Sequence, residues 1–302
     1  MPWQAENTKL LRLATYASVL TAAILIVAKL VAWLLTGSVS ILASLVDSLM
    51  DIIASIINLF AVRYSLQPAD AQHRFGHGKA EPLAGLAQAA FIIGSAVFLI
   101  LHTAERFRFP HELQDIGIGI SVMVLAIGLT LGLLLIQRYV IKKTASTAIR
   151  ADALHYGTDL LTNLSIILAL ILASFGWTWA DAVFAIAVAI YIFYSALQIG
   201  YEALQQLMDR ELPAEVREQI LSIARQNPVV FDAHALRTRQ SGQAKFIQLH
   251  LEMDDNLSLF DAHAIGDQVE HDILAILPDA EVIIHQDPAS LKDRPRRNLS
   301  YE

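Results

Sequence analysis

Long apolar blocks fill the first two thirds of the chain, and shorter alternating blocks follow them. The apolar blocks cover residues 10–36, 39–66, 81–107, 116–137, 151–175 and 178–205. Each is long enough for a helix that crosses the hydrocarbon core of a bilayer, which needs roughly 20 residues. The pattern predicts an α-helical membrane protein with six transmembrane helices, which form a transport domain over residues 1–206.

The last third of the chain has the pattern of a small α+β domain. Residues 244–253 alternate, and one face of this predicted strand is apolar: Ile247, Leu249, Leu251 and Met253. Further helices are predicted near 213–226 and 258–276, and further strands near 231–240 and 280–286. The order αββαβ indicates a cytoplasmic domain over residues 207–290 with its helices on one face of the sheet. Residues 291–302 are predicted to form a loose tail.

Composition and charge narrow the classes of function. The 302 residues are 55% hydrophobic and 17% charged, and they include no cysteine, which excludes disulfides and thiolate metal sites. Acidic and basic residues balance over residues 1–206, so the net charge of −7 belongs to the C-terminal third. An acidic domain argues against a nucleic-acid partner and favours attraction of cations, although the solubility of a cytosolic domain explains it equally well.

The basic residues predict how the chain is oriented in the membrane. The N-terminal segment and the connections after the second and fourth blocks are rich in lysine and arginine, whereas the connections after the first and fifth blocks have none. Because basic loops stay in the cytoplasm, both termini of this multi-pass protein are predicted to be cytoplasmic.

Ionisable residues inside two apolar blocks form the first candidate site. Asp47 and Asp51 are four residues apart in the second block, and His155 and Asp159 have the same spacing in the fifth. On helices each pair shares one face. Three carboxylates and one imidazole suit tetrahedral Zn²⁺, with Fe²⁺, Cd²⁺ and Mn²⁺ as further candidates. The alternative is a structural polar network between helices.

The same residues would also exchange protons. Metal binds deprotonated ligands, so loading releases protons and protonation expels the metal. This competition is a physical basis for the exchange of metal against H⁺. His155 is the first candidate proton carrier, with Asp51 or Asp159 sharing the role.

Two further clusters lie outside the apolar blocks. Asp70, His73 and His77 fall within eight residues of the polar loop 67–80, where they either hold a divalent ion or are simply solvated. The C-terminal domain contains a larger set whose strand faces could converge, with Asp287 able to bridge two ions: His234, His250, His263, His285 and Asp287. Scattered surface histidines are the alternative for this set.

Missing motifs remove several enzyme classes. The chain contains no GxxxxGK[ST] motif, so ATP hydrolysis is not expected to drive it. It also contains no HExxH zinc-protease motif and no glycine-rich dinucleotide fingerprint. The sequence therefore predicts a protein that is not an enzyme.

Taken together, the motifs resemble one transporter family. The stretches SVSILASLVDSLMD, ADALHYGTD, LRTRQSG and VIIHQDP, with six spans and a small C-terminal α+β domain, closely resemble bacterial efflux pumps of the cation diffusion facilitator family. The resemblance implies a homodimer in the bacterial inner membrane with metallochaperone-like cytoplasmic domains. It also implies a salt bridge between Lys79 and Asp209 and a hydrophobic gate that includes Leu154.

The resemblance implies roles for all three clusters. Asp47, Asp51, His155 and Asp159 would form the transport site, Asp70, His73 and His77 a loop site, and Asp287 would bridge a binuclear cytoplasmic site. A histidine at position 155 resembles the branch that selects Zn²⁺ and Cd²⁺ more than the Mn²⁺ branch. The predicted function is efflux of Zn²⁺, with Fe²⁺ or Cd²⁺ as further cargo, by H⁺ antiport with alternating access. The rival interpretations are a membrane zinc sensor without transport and an intramembrane metal hydrolase.

Overall fold

The computed structural model describes residues 2–106, 116–175, 177 and 180–290. The chain divides into two compact units, Met1–Leu207 and Met208–Glu302. The predicted tail 291–302 and the loop 108–115 lie outside the described residues.

Six long helices make up the first unit. They are α1 Pro2–Thr36, α2 Val39–Ser65, α3 Ala80–Arg106, α4 Ile116–Thr144, α5 Thr147–Ser174 and α6 Ala180–Leu207. The largest extensions beyond the predicted blocks are in α1, which begins at Pro2 rather than residue 10, and in α4, which ends at Thr144 rather than residue 137. The apolar blocks follow the hydrocarbon-facing part of a helix, whereas backbone hydrogen bonding continues through polar ends. Lys142 and Lys143 lie in the last turn of α4, where their positive charges stabilise the negative end of the helix dipole.

Within the described residues, five helices are long and apolar enough to span a membrane: α1, α2, α3, α4 and α6. The remaining helix, α5, has 28 residues. It carries the ionisable residues Arg150, Asp152, His155 and Asp159. The predicted six-helix fold is present, and α5 carries two of the candidate ligands.

Many buried residues of the helical unit are alanines, and many of its large apolar residues are exposed. On α1, Ala14 and Ala22 are buried, whereas Leu20 and Val27 are 62% and 60% exposed. Small residues let helices approach closely, and an exposed apolar surface of this kind suits contact with lipid.

A buried cluster shows how the helices alternate in direction. It joins residues near the start of α1, α3 and α5 to residues near the end of α2 and α4: Leu11, Ala84, Ala148, Ile149, Val62 and Val140. These helices therefore run up and down in turn. Gly37 makes the short turn between α1 and α2 with a φ of +65°, a conformation that glycine adopts without strain.

The second unit is a three-stranded sheet with two helices. Its elements are α7 Ala214–Ala224, β1 Asp232–Ser241, β2 Ala244–Met253, α8 Leu259–Ile276 and β3 Ala280–Pro288. The strand order is β1-β2-β3, with β1 antiparallel and β3 parallel to β2. The predicted αββαβ order is confirmed, and the bounds of β2 match the predicted alternating stretch.

The core of this unit lies on one face of the sheet. Ile247, Leu249 and Leu251 of β2 pack in one cluster with Ile220 of α7 and Ile273 of α8. The opposite face of β2 is less exposed to solvent than the alternation predicts, because Phe246 and Glu252 are also buried. Phe246 lies under the Arg239 guanidinium, with 4.4 Å between that group and the ring centroid.

Candidate metal sites

The intramembrane site brings together α2 and α5. His155 Nε2 lies 3.1 Å from Asp51 Oδ1, and one ligand atom each from Asp51, His155 and Asp159 lie within 4.8 Å of one another. The His155 side chain is buried, and the rings of Phe91 and Tyr156 pack edge-on against it. Two carboxylates and an imidazole at this spacing can hold a divalent ion away from bulk water.

Asp47 occupies a different place from the other predicted transport ligands. It lies one turn before Asp51 on α2, it is exposed, and it is not among the residues whose ligand atoms meet within 4.8 Å. Its role as a fourth ligand stays a prediction. A small sliding or rotation of α2 would be needed to carry its carboxylate to the other three.

A buried polar network lies beside this site and was missed by the sequence analysis. The carboxylate of Asp152, which is fully buried, contacts Ser18 Oγ at 2.5 Å, Gln137 Nε2 at 2.8 Å and Gln88 Nε2 at 3.2 Å. These four residues come from α5, α1, α4 and α3. The signal was available, since Asp152 is an ionisable residue inside an apolar block, three residues before His155.

The predicted gate residue, Leu154, packs between α3 and α6. It is partly buried against Ile92, Ala89, Ile192 and Ile199. A large apolar side chain next to the His155 ligand suits the exclusion of water from one side of the site, and the gate stays a prediction.

The loop site is formed by one continuous segment. His73 Nδ1 lies 3.4 Å from Asp70 Oδ1, and His77 Nε2 lies 3.4 Å from Asp70 Oδ2. The two imidazole centroids are 4.5 Å apart. Gly76 supports this geometry with a φ of +76°.

Backbone groups keep the Asp70 carboxyl ionised. The N–H groups of His73 and Gln72 donate to Asp70 Oδ1 over 2.6 Å and 2.8 Å. These hydrogen bonds, the one from His73 foremost, lower the pKa of the Asp70 carboxyl below its ordinary value. The loop therefore presents a charged ligand to a cation.

Strand register builds the cytoplasmic site. His234 of β1 is paired with His250 of β2, which is paired in turn with His285 of β3, so the three imidazoles form a row across the sheet. Neighbouring rings in this row are 5.4 Å and 4.7 Å apart. The row lies on the face of the sheet opposite the core.

Asp287 contacts all three histidines of this row. Its Oδ2 lies 2.9 Å from His250 Nδ1 and 3.5 Å from His234 Nε2, and its Oδ1 lies 3.1 Å from His285 Nε2. The two oxygens of one carboxylate thus point at different imidazoles, which is the arrangement of a bridging ligand. His263 is separate from this group: it is exposed on α8 and lies 3.5 Å from Asp267.

Glu252 is a second functional candidate that was missed. It is buried, and its Oε1 lies 3.5 Å from His234 Nδ1. Glu252, His234 and Asp232 form a further group with ligand atoms within 4.8 Å. Asp232 is held by Arg225, whose guanidinium donates to it over 3.2 Å. The position of Glu252 two residues after His250, on the same strand face, was the available signal.

The predicted salt bridge between Lys79 and Asp209 joins residues of different units and stays a prediction. Within its own unit, Lys79 Nζ donates to the Leu207 carbonyl over 3.2 Å. Within the other unit, Asp209 adopts a φ of +58° and lies 3.3 Å from the Arg239 guanidinium.

Comparisons with known proteins agree with this architecture. The family model "Cation efflux transmembrane domain" matches residues 15–208, and "Cation efflux protein, cytoplasmic domain" matches residues 212–289. The chain is 53% identical over 291 residues to the cation-efflux pump FieF of Yersinia pestis and of Yersinia pseudotuberculosis, covering 96% of this chain and 97% of each relative.

One solved structure is similar to part of the chain. The metal-bound C-terminal domain of the CzcD transporter from Thermotoga maritima is 29% identical and has a TM-score of 0.24, with 24% of this chain and 87% of that chain covered. The two family models and the full-length relatives together leave one assignment. The chain belongs to the cation efflux family of multi-pass membrane transporters.

Proposed function

We propose that this protein exports Zn²⁺ from the cytoplasm in exchange for H⁺. The observation that carries the proposal is the meeting of Asp51, His155 and Asp159 at the contact of α2 with α5. Imidazole and carboxylate ligands suit Zn²⁺, with Fe²⁺ and Cd²⁺ as secondary cargo. Because the ligands must be deprotonated to bind metal, protons and metal compete for the same side chains.

Alternating access would supply the transport step. The site is shared by two helices, so a movement of α5 against α2 would change both its coordination and the side from which it is reached. Leu154 would close one side of the site. The protein would work as a homodimer in the bacterial inner membrane with both termini in the cytoplasm.

The cytoplasmic and loop clusters would regulate or supply the transport site. Zinc on the row of His234, His250 and His285 can bias the carrier only by binding one of its states more tightly than the other. His263 and the ion pair between Lys79 and Asp209 are further parts of this proposal. They would act at the dimer contact, where a second copy can complete a site.

Flux measurements on the purified protein in proteoliposomes test the proposal. Zinc entry is followed with an internal zinc dye and proton exit with an internal pH dye. We expect zinc entry to drive proton exit in the wild type, and Asp51→Ala to abolish both. Asp272→Ala serves as the matched control, since it removes an exposed carboxylate of α8 that belongs to none of the three clusters and should retain flux. Wild-type rates in Asp51→Ala would contradict the site assignment.

A zinc sensor is the rival function. It would bind zinc at the same residues without moving it across the membrane. Calorimetric zinc binding together with absent flux in the wild type would favour the sensor.

A further inference from the structure

A lysine from α1 reaches the ligand-bearing helix. Lys29 Nζ donates to Ser48 Oγ over 2.6 Å and to the Ser44 carbonyl over 3.0 Å, and both acceptors belong to α2. Ser48 is buried. An ammonium group inside an apolar helix is costly, and such residues pair with other polar groups or serve ion pathways. Lys29 therefore needs an explanation beyond helix packing.

The ammonium group lies beside the carboxylates of the transport site. Asp51 follows Ser48 by three residues on α2, and Asp47 follows Ser44 by three. Residues at this spacing have Cβ atoms about 5–6 Å apart on one helix face. Asp51 in turn lies with Asp159 in the group whose ligand atoms are within 4.8 Å of one another. With Asp47 as the predicted fourth ligand, the ligand set and Lys29 together comprise three carboxylates, one imidazole and one ammonium group.

The charges of this cluster match a divalent cation. Three carboxylates and one ammonium group leave a net charge of about −2 when the imidazole is neutral, as a metal ligand must be. A bound divalent ion would cancel this charge, whereas a monovalent or trivalent ion would leave a residual charge in the membrane. Uncompensated charge in an apolar medium carries a desolvation penalty of several kcal/mol.

We propose that Lys29 is a specificity-determining residue whose positive charge adjusts the transport site to divalent cations. It does not touch the ion. It makes the loaded set of ligands electrically neutral, which lowers the cost of moving that set between the inward-facing and outward-facing states. This inference rests on the proposed zinc transport by the same site.

Two substitutions separate the charge of Lys29 from its hydrogen bonds. Lys29→Gln retains a donor for Ser48 but removes the charge, and Lys29→Arg retains the charge. Without the charge the site is more negative, so we expect Lys29→Gln to bind zinc more tightly and to have a maximal flux reduced by about tenfold or more. Lys29→Arg should stay within about threefold of the wild type, a difference below one kcal/mol.

The experiment uses the full chain in detergent for binding and in proteoliposomes for flux. The variants are made in a background that carries Asp70→Ala and Asp287→Ala, so that calorimetry reports the transport site. Equal zinc affinity and equal maximal flux in Lys29→Gln and Lys29→Arg would overturn the proposal, since only the hydrogen bonds would then matter. Unchanged zinc affinity in Lys29→Gln would overturn it as well.

Failure of the Lys29 proposal can be distinguished from failure of the proposed zinc transport. If the wild type binds zinc without moving it, zinc transport is refuted, and the affinity of Lys29→Gln alone decides whether the charge acts on the site. A variant that fails to elute as a folded species is replaced by Lys29→Met, for which the same increase in zinc affinity is expected.

Discussion

His155 and Asp51 face each other at 3.1 Å although they belong to different helices. Their contact joins α5 to α2 through the atoms that a metal ion would bind. The site therefore depends on the relative position of two helices rather than on one local segment. Changes to either residue should affect the chemistry of the ion as well as the contact between the helices.

Exchange of the imidazole for a carboxylate should change ion selectivity. His155→Asp replaces a nitrogen ligand, which suits Zn²⁺, by a hard oxygen ligand, which suits Mn²⁺. We expect the ratio of Zn²⁺ flux to Mn²⁺ flux to fall by about tenfold or more, because selectivity follows ligand type. Paired flux assays with the two ions check this, and an unchanged ratio would show that His155 does not contact the cargo. Thr158→Ala, on the same helix, is the control.

Removal of Asp287 should reduce the number of metal ions bound per protomer more than removal of one histidine. Since its two oxygens face different imidazoles, Asp287→Ala is expected to abolish binding of both cytoplasmic ions, whereas His285→Ala should abolish only one. Calorimetry on the full chain in an Asp51→Ala background gives the number of ions bound per protomer. Loss of the same number of ions in both variants would contradict a bridging role.

The buried network around Asp152 should stabilise the helical unit. Asp152→Ala leaves the Gln88 amide without its acceptor, at a cost of about 1–3 kcal/mol for an unsatisfied buried group. Ser18 and Gln137 each lose one bond and keep another, to the Ala14 carbonyl and to Ser18 Oγ. We expect a Tm lower by several degrees in detergent, measured by loss of the folded peak in size-exclusion chromatography. Asp152→Asn keeps one oxygen acceptor and should recover much of this loss. Equal Tm values for Asp152→Ala and the wild type would show that the network contributes little.

The core of the second unit can be tested independently of metal. Leu249 is 1% exposed and lies on the strand face opposite His250, so Leu249→Ala should lower the free energy of unfolding by about 2–5 kcal/mol. Hydrogen exchange of β1, β2 and β3 in the full chain reports this loss. Ile283→Ala, at a position that is 51% exposed, should change it by only about 0.5 kcal/mol. Similar exchange in both variants would contradict the assigned core.

Periodicity predicted the elements of this protein well because each has one dominant environment. The alternation of β2 gave its bounds, Ala244–Met253, and its core residues Ile247, Leu249 and Leu251. Helix ends were predicted less well, since α1 and α4 continue into polar segments. Hydrophobicity indicates which residues contact lipid or core. The backbone hydrogen bonds of a helix continue past those residues, so the apolar pattern does not give the helix end.

Side-chain meetings between distant segments were harder to predict than the segments themselves. The spacing of Asp51 with Asp47 and of His155 with Asp159 indicated shared helix faces, yet Asp51 meets His155 and Asp159 while Asp47 lies apart. That difference depends on the rotation of α2 against α5, which the spacing within each helix does not determine. The contacts of Asp152 with Ser18, Gln88 and Gln137 likewise depend on the packing of four helices.

Asp70, His73 and His77 belong to a single stretch of loop, whereas the intramembrane ligands come from two helices. Ligands that belong to one continuous segment keep their relative positions when the helices move. Ligands that are divided between α2 and α5 would separate when one helix moves relative to the other. In the proposed cycle the loop could therefore hold an ion throughout, whereas the intramembrane ligands would release theirs once per cycle.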